Sequence, residues 1–186
     1  MLGDLMEAEV WQAGHILSTS AGMFGLWQPE RFEGVRSLDA WEDEVSDDSA
    51  LSLHIEAGAF VPINVGGDGT FQISVRNAPR NTREERYTLV SSEPYLLVSK
   101  GSLALGGLEN VGSYIGGATI FSVPEGRYAM TVHLIDWKAE PRSVGTDGNP
   151  SDSALPDFIV VLEPETAPGA AYRSILETFV RPESDG

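Results

Sequence analysis

Cysteine is absent from this chain, which excludes a disulfide framework, a thiol nucleophile and any thiolate-held metal. Lysine is nearly absent: of 12 basic residues only Lys100 and Lys138 are lysines. Long apolar runs are missing as well, and none approaches the ~18 residues that a membrane-spanning helix needs. The opening stretch MLGDLMEAEVWQAG carries acids where a secretory leader needs bases, and it has no apolar leader core. A soluble, cytoplasmic protein without membrane contact is the expectation. Positive charge is scarce overall, with 28 acidic residues against 12 basic ones and a net charge of −16. A field of that sign repels phosphate backbones, so direct nucleic-acid binding is disfavoured, while a basic protein is attracted.

What is present is enough apolar residue, 41% over 186 residues, for one domain spanning 1–186. Short segments of alternating character dominate. LSLHIEAGAFVPINV (51–65) reads as one or two strands, and TFQISVR (70–76) follows the turn GGDG as a hairpin. RYTLVSS (86–92) and PYLLVSK (94–100) are further strands, with a second hairpin expected around Gly101. In VPEGRYAMTVHLIDW (123–137), Tyr128, Met130, Val132 and Leu134 share one strand face, and Ala129, Thr131, His133 and Ile135 the other. DFIVVLEPE (157–165) is apolar without alternation, as a strand buried on both faces would be. A helix is expected only over AYRSILETFV (171–180), where a strand is the alternative, and one turn over PERFEG (29–34). Residues 139–156 carry turn formers throughout and read as an exposed loop. INVGGDGTFQISV and FSVPEGRYAMTV repeat one pattern of strand, glycine turn, aromatic and alternating apolar residues, as if one local problem were solved twice. Together these features specify an all-β antiparallel sandwich of short strands joined by hairpins, with at most one or two short helices.

No reaction motif is complete. His15, His54 and His133 stand alone rather than in a paired spacing such as H-x-H, although His54 and Glu56 would share a strand face. His133 and Asp136 lie three apart, which on a strand puts them on opposite faces and forbids a dyad. STSAG (18–22) lacks the first glycine of a nucleophile elbow, and neither lysine follows a phosphate loop. Asp147, Asn149 and Asp152 fall short of a calcium loop, which needs more ligands and a closing Glu. No catalytic residue, metal or cofactor is assigned.

Charge placement is more informative. DAWEDEVSDD (39–48) holds six acids, no base and a central tryptophan, whereas RNAPRNTREER (76–86) holds four of the ten arginines. Clustered acids steer a basic partner, and an aromatic among them supplies an anchor. The contact residues expected on this basis are Asp39, Trp41, Glu42, Asp43, Glu44, Asp47 and Asp48.

In order along the chain, the segments AWEDE, SLHIEAGAFVPI, ERYTLVSSEPYLLV and the Pro124-x-Gly126-x-Tyr128 turn resemble the competence protein J family, inhibitors of the DNA-entry nuclease of competent bacteria. The similarity runs from about His15 to Leu162; the GGDGTF turn and the 139–156 loop depart from it. The resemblance implies a non-enzymatic sandwich that binds and blocks a nuclease. The leading reading is therefore an acidic protein-binding module, of inhibitor or immunity type, that neutralises a basic partner such as a nuclease and is itself a monomer or weak homodimer. Two other classes stay open: a carbohydrate-binding or carbohydrate-cleaving sandwich using Trp11, Trp27, Trp41 and Trp137, and a metal enzyme using the three histidines.

Overall fold

The computed structural model describes residues 10–167, 171–176 and 179. Ten strands form two facing sheets: β1 (Gln12–Thr19), β2 (Met23–Trp27), β3 (Phe60–Asn64), β4 (Gly69–Arg76), β5 (Thr88–Ser91), β6 (Tyr95–Ser99), β7 (Ser102–Gly107), β8 (Thr119–Ser122), β9 (Gly126–Ile135) and β10 (Phe158–Pro164). The larger sheet runs β1-β4-β10-β9-β5, with β6 also on β9, and the smaller runs β3-β2-β7-β8. Every pairing is antiparallel except β4 with β10. The expected all-β sandwich is the observed architecture. Three short helices accompany it: α1 (Leu38–Trp41), α2 (Asp48–Glu56) and α3 (Thr82–Arg86).

The core follows from strand alternation. Ile73 and Val75 of β4, Met130 and Val132 of β9, and Phe158, Val160 and Leu162 of β10 face inward. They meet Phe24 and Leu26 of β2, Val61 and Ile63 of β3, and Leu103 and Leu105 of β7. Each such side chain removed from water contributes about 1.5–3 kcal/mol before the cost of ordering it. The unalternating β10 is buried on both faces, as its composition requires. Its outer residues Ile159 and Val161 join Ile135, Trp137 and Leu155 in a second, smaller core. Residues 139–156 are mostly exposed, yet they are not loose. Leu155 and Ser143 are buried, and Arg83 of α3 bonds both the Glu140 carboxylate and the Ser153 carbonyl.

The turns differ from expectation. Residues 65–68, 100–101 and 123–125 each carry the chain from one sheet to the other, because β3, β7 and β8 belong to the smaller sheet and β4, β6 and β9 to the larger. Glycine turns satisfy an arch between layers as well as a hairpin, and local composition does not distinguish the two. The repeated sequence pattern has the same origin. β3–β4 and β8–β9 are both arches from the smaller to the larger sheet, and each is followed by an alternating inner face.

The first half of 51–65 is also corrected, since α2 occupies it and only β3 is strand. Leu51, His54 and Ile55 are the buried positions, a helical spacing, and Asp47 caps the start by accepting the Ala50 N–H at 3.1 Å. Gly58, at φ +72°, ends the helix as its left-handed residue, with its N–H on the Ile55 carbonyl. Pro29–Phe32 forms the expected single turn. Ala171–Leu176 is not helical, and the remainder of that expected helix falls partly outside the described residues. No helix among the described residues is long and apolar enough to cross a membrane.

One close approach is specific to glycine. A side chain at Gly25 of β2 would run into the Phe60 ring, which lies across it from β3. Gly25→Ala is expected to lower the unfolding free energy by about 1–3 kcal/mol through overpacking. Gly14→Ala, where no atom lies within 4 Å, is expected to change it by less than about 0.5 kcal/mol. Urea denaturation of both variants measures the contrast.

Candidate functional site

β2 and β3 pair directly, from Met23 opposite Asn64 to Trp27 opposite Phe60, although 32 residues separate Trp27 from Phe60. That intervening segment leaves the end of the smaller sheet and carries the acidic stretch. Its foundation is aromatic. Trp27 stacks on Phe60 with centroids 6.1 Å apart, and Phe32 packs on both Phe60 and the His54 ring.

The acidic stretch is helical. Ser37 caps α1 by accepting the Ala40 N–H at 3.2 Å, and the chain then widens into a π-turn over Glu42–Ser46, closed by the Asp47 N–H on the Glu42 carbonyl. Val45 is fully buried and Trp41 half-buried, so these two hold the segment to the body. The Trp41 indole N–H donates to the Leu108 carbonyl at 3.1 Å. With the apolar pair turned inward, Asp39, Glu42, Asp43, Glu44, Asp47 and Asp48 are all exposed.

Their chemistry is not uniform. Asp47 serves as the α2 cap. Glu44 Oε2 lies 3.0 Å from His54 Nε2. Because Arg31 Nε can only donate, and does so to His54 Nδ1 at 3.1 Å, the ring carries its proton on Nε2 and donates it to Glu44. Asp39, Glu42, Asp43 and Asp48 form no ion pair among the described residues. No three His, Cys, Asp or Glu residues converge as metal ligands among the described residues. The acids therefore present separate outward charges rather than a chelating nest.

The arginines are arranged oppositely. Arg76 is buried and pairs with Glu84 at 2.8 Å, Arg83 pairs with Glu140, Arg127 with Glu165 and Arg173 with Glu93. Arg80 donates to the Thr88 hydroxyl at 2.8 Å. The basic hairpin end expected at 76–86 is a strand end and a helix, with Arg76, Arg80 and Arg83 held by partners within the protein and Arg86 exposed. The expected acidic segment does emerge as an open surface.

Exposed apolar residues that the sequence did not single out flank it. The Ser113 N–H bonds the Val35 carbonyl at 2.8 Å, which sets Tyr114 and Ile115 beside the entry to α1, where Leu38 is also exposed. Alternation rules carry no information on these positions, which lie in a turn and at a helix start.

The remaining candidates are dispersed. His15 lies on β1, His54 on α2 and His133 on β9, and His54 and Glu56 share no strand because the segment is helical. Trp27 and Trp137 are buried and Trp11 and Trp41 half-buried, so no tryptophan stands fully exposed. Asp147 is occupied with Asn149, whose side-chain amide donates to it at 3.0 Å. His133 and Asp136 do not pair. His133 Nδ1 lies 2.6 Å from the Ser91 hydroxyl on the outer face of the larger sheet, and the Asp136 N–H bonds the Tyr87 carbonyl at the strand's end.

No family model and no curated protein matches the chain. Two solved structures do. The fold is similar to that of a protein titled crocagin biosynthetic gene J, with a TM-score of 0.58 and 19% identity over 85% of this chain and 99% of that one. It is also similar to ComJ of Bacillus subtilis, titled an inhibitor of the DNA degrading activity of NucA, with a TM-score of 0.48 and 16% identity over 84% of this chain and 98% of that one. The family that the sequence pattern resembles is thus among the structures matched. At these identities the likeness is one of fold.

His133 supplies a pH-dependent test of this geometry. Burial, then the charges of Arg80 and Arg76, lower its pKa from 6.5 to about 4. The unfolded chain therefore binds the proton first as pH falls. The stability held by the neutral ring is complete above pH 6.5 and is lost between there and pH 4. The loss attributable to His133 is expected to be at most about 3 kcal/mol. Urea titrations at several pH values are expected to show a shallower acid decline in His133→Asn than in the native chain.

Proposed function

We infer that the chain is a non-enzymatic protein-binding module of inhibitor type, which docks a basic partner on its acidic helical segment. One observation carries this reading: Asp39, Glu42, Asp43 and Asp48 are exposed and without ion-pair partners among the described residues, while most of the arginines are engaged within the fold. Unpaired like charges on a rigid support repel one another in the free protein. A cationic surface relieves that repulsion, and the attraction acts before contact, raising the association rate. Glu44 and Asp47 are exposed in the same segment, with half-buried Trp41 among them. Leu38, Tyr114 and Ile115 supply an apolar centre of the kind an interface needs beside charge.

A nuclease is the preferred partner, since its phosphate-binding cleft is basic and a row of carboxylates answers that charge. The ComJ title names this kind of target for ComJ. It indicates which partner to test first, while the surface charge supplies the argument. A cytoplasmic setting and a chain that works alone or as a weak dimer belong to the same reading.

The test uses a variant that leaves the structural acids in place: Asp39→Asn, Glu42→Gln, Asp43→Asn and Asp48→Asn, with Glu44 and Asp47 retained. Against a basic nuclease captured from the source lysate at two salt concentrations, association of the variant is expected to be about tenfold slower and less dependent on salt. Dissociation is expected to change less. Equal association rates for both proteins would remove the acidic segment from the interface.

A further inference from the structure

A cleft of about 810 Å3 opens at the end of the larger sheet, where β4 and β10 begin and β9 ends. No residue of the acidic segment lines it. Its walls are mainly aromatic and aliphatic: Phe71, Leu134, Trp137, Phe158 and Phe179. Phe71 and Phe179 both pack on Phe158 at 6.0 Å between centroids.

The walls are held in place. Asp157 accepts the Gln72 N–H through one carboxylate oxygen and the Trp137 indole N–H through the other, each at 2.8 Å. This fixes the indole and occupies the carboxylate. The Phe179 N–H donates to the Asn64 carbonyl at 2.7 Å. The outer rim, Gly148 to Pro150, is a closed turn in which the Gly145 N–H bonds the Asn149 carbonyl at 2.7 Å and Val144 bridges Pro150. Such a cavity is of ligand size and largely formed in advance.

Lys138 is the cation at the cleft wall. Its ammonium stands 5.4 Å from the Trp137 ring centroid at the cleft wall, and it forms no ion pair among the described residues. In a chain of net charge −16 with two lysines, a cation left open beside an aromatic wall is selective chemistry. It attracts an anion locally where the protein as a whole repels one.

We propose that this cleft is a binding site for a small amphiphilic anion, an aromatic or aliphatic body seated against Phe71 and Leu134 with its carboxylate or equivalent acid group on Lys138. The two parts of the recognition are separable. The apolar walls hold the body by burial, and Lys138 selects the charge. The site is distinct from the acidic segment and does not require it.

The probe is 8-anilinonaphthalene-1-sulfonate, an aromatic anion that fluoresces when desolvated, titrated into the full chain alongside N-phenyl-1-naphthylamine, its uncharged analogue. One equivalent of each is expected to bind, with energy transfer from Trp137, and 2-naphthoate is expected to displace the sulfonate. Lys138→Ala is expected to weaken the sulfonate about fivefold or more and to leave the uncharged analogue unchanged. Asn149→Trp, at the exposed rim, is expected to block both. Circular dichroism verifies that both surface variants keep the fold. Absence of saturable binding at one equivalent, or binding indifferent to Asn149→Trp, would overturn the site. Sulfonate binding indifferent to Lys138→Ala would overturn its selection for an anion.

Discussion

β9 is the strand on which the larger sheet depends. Along one edge it pairs with β10 over seven registered positions, and along the other it receives β5 near its end and β6 near its start. Those two short strands cannot be continuous, because Pro94 lacks an N–H to offer the ladder. Ser92 manages the break. Its N–H bonds the Val132 carbonyl at 2.8 Å and its hydroxyl accepts the Val132 N–H at 2.9 Å, so β9 keeps its bonds across the gap. The polar residues at the end of β9 are accordingly structural. His133 is held by Ser91, the Asp136 backbone by Tyr87, and Trp137 by Asp157.

Charge is distributed with the same economy. Few bases are present, and most of them hold the protein together. The Arg76–Glu84 pair, both side chains buried, ties α3 to the end of β4. An ion pair in such a place costs desolvation on both sides and fixes geometry more than it stabilises. It joins the second core, under α3 and the 139–156 segment, to the central strands. The acids, far more numerous, mostly stand outside. The acidic segment owes its open presentation to this asymmetry and to the inward turn of Trp41 and Val45.

The two surfaces considered for function lie on different supports. The acidic segment springs from the β2–β3 pair of the smaller sheet, whereas the aromatic cleft occupies the end of the larger one. Neither relies on loops held by chain entropy alone. One is pinned by capped helices and the aromatic stack of Trp27, Phe60 and Phe32, and the other by Asp157 and a hydrogen-bonded turn. Sites on such supports lose little freedom when a partner arrives.

The sequence by itself determined β9, its inner face and the buried β10, since alternation in 126–135 and continuous apolarity in 158–162 leave few other ways to bury those side chains. It also determined that the six acids of 39–48 would be exposed, because they cannot be buried without partners. The helical nature of 48–56 was legible in principle from Asp47, the spacing of Leu51, His54 and Ile55, and Gly58, but short apolar runs fit both periods. Tertiary structure alone decided that the glycine turns at 65–68, 100–101 and 123–125 are arches between sheets, for a turn's backbone is the same whichever sheet receives the next strand. It alone decided that Arg76 is buried, that Trp41 faces inward and that Lys138 stands open beside Trp137. The first two depend on residues 8 and 67 positions away in the chain, a distance over which local pattern carries no information.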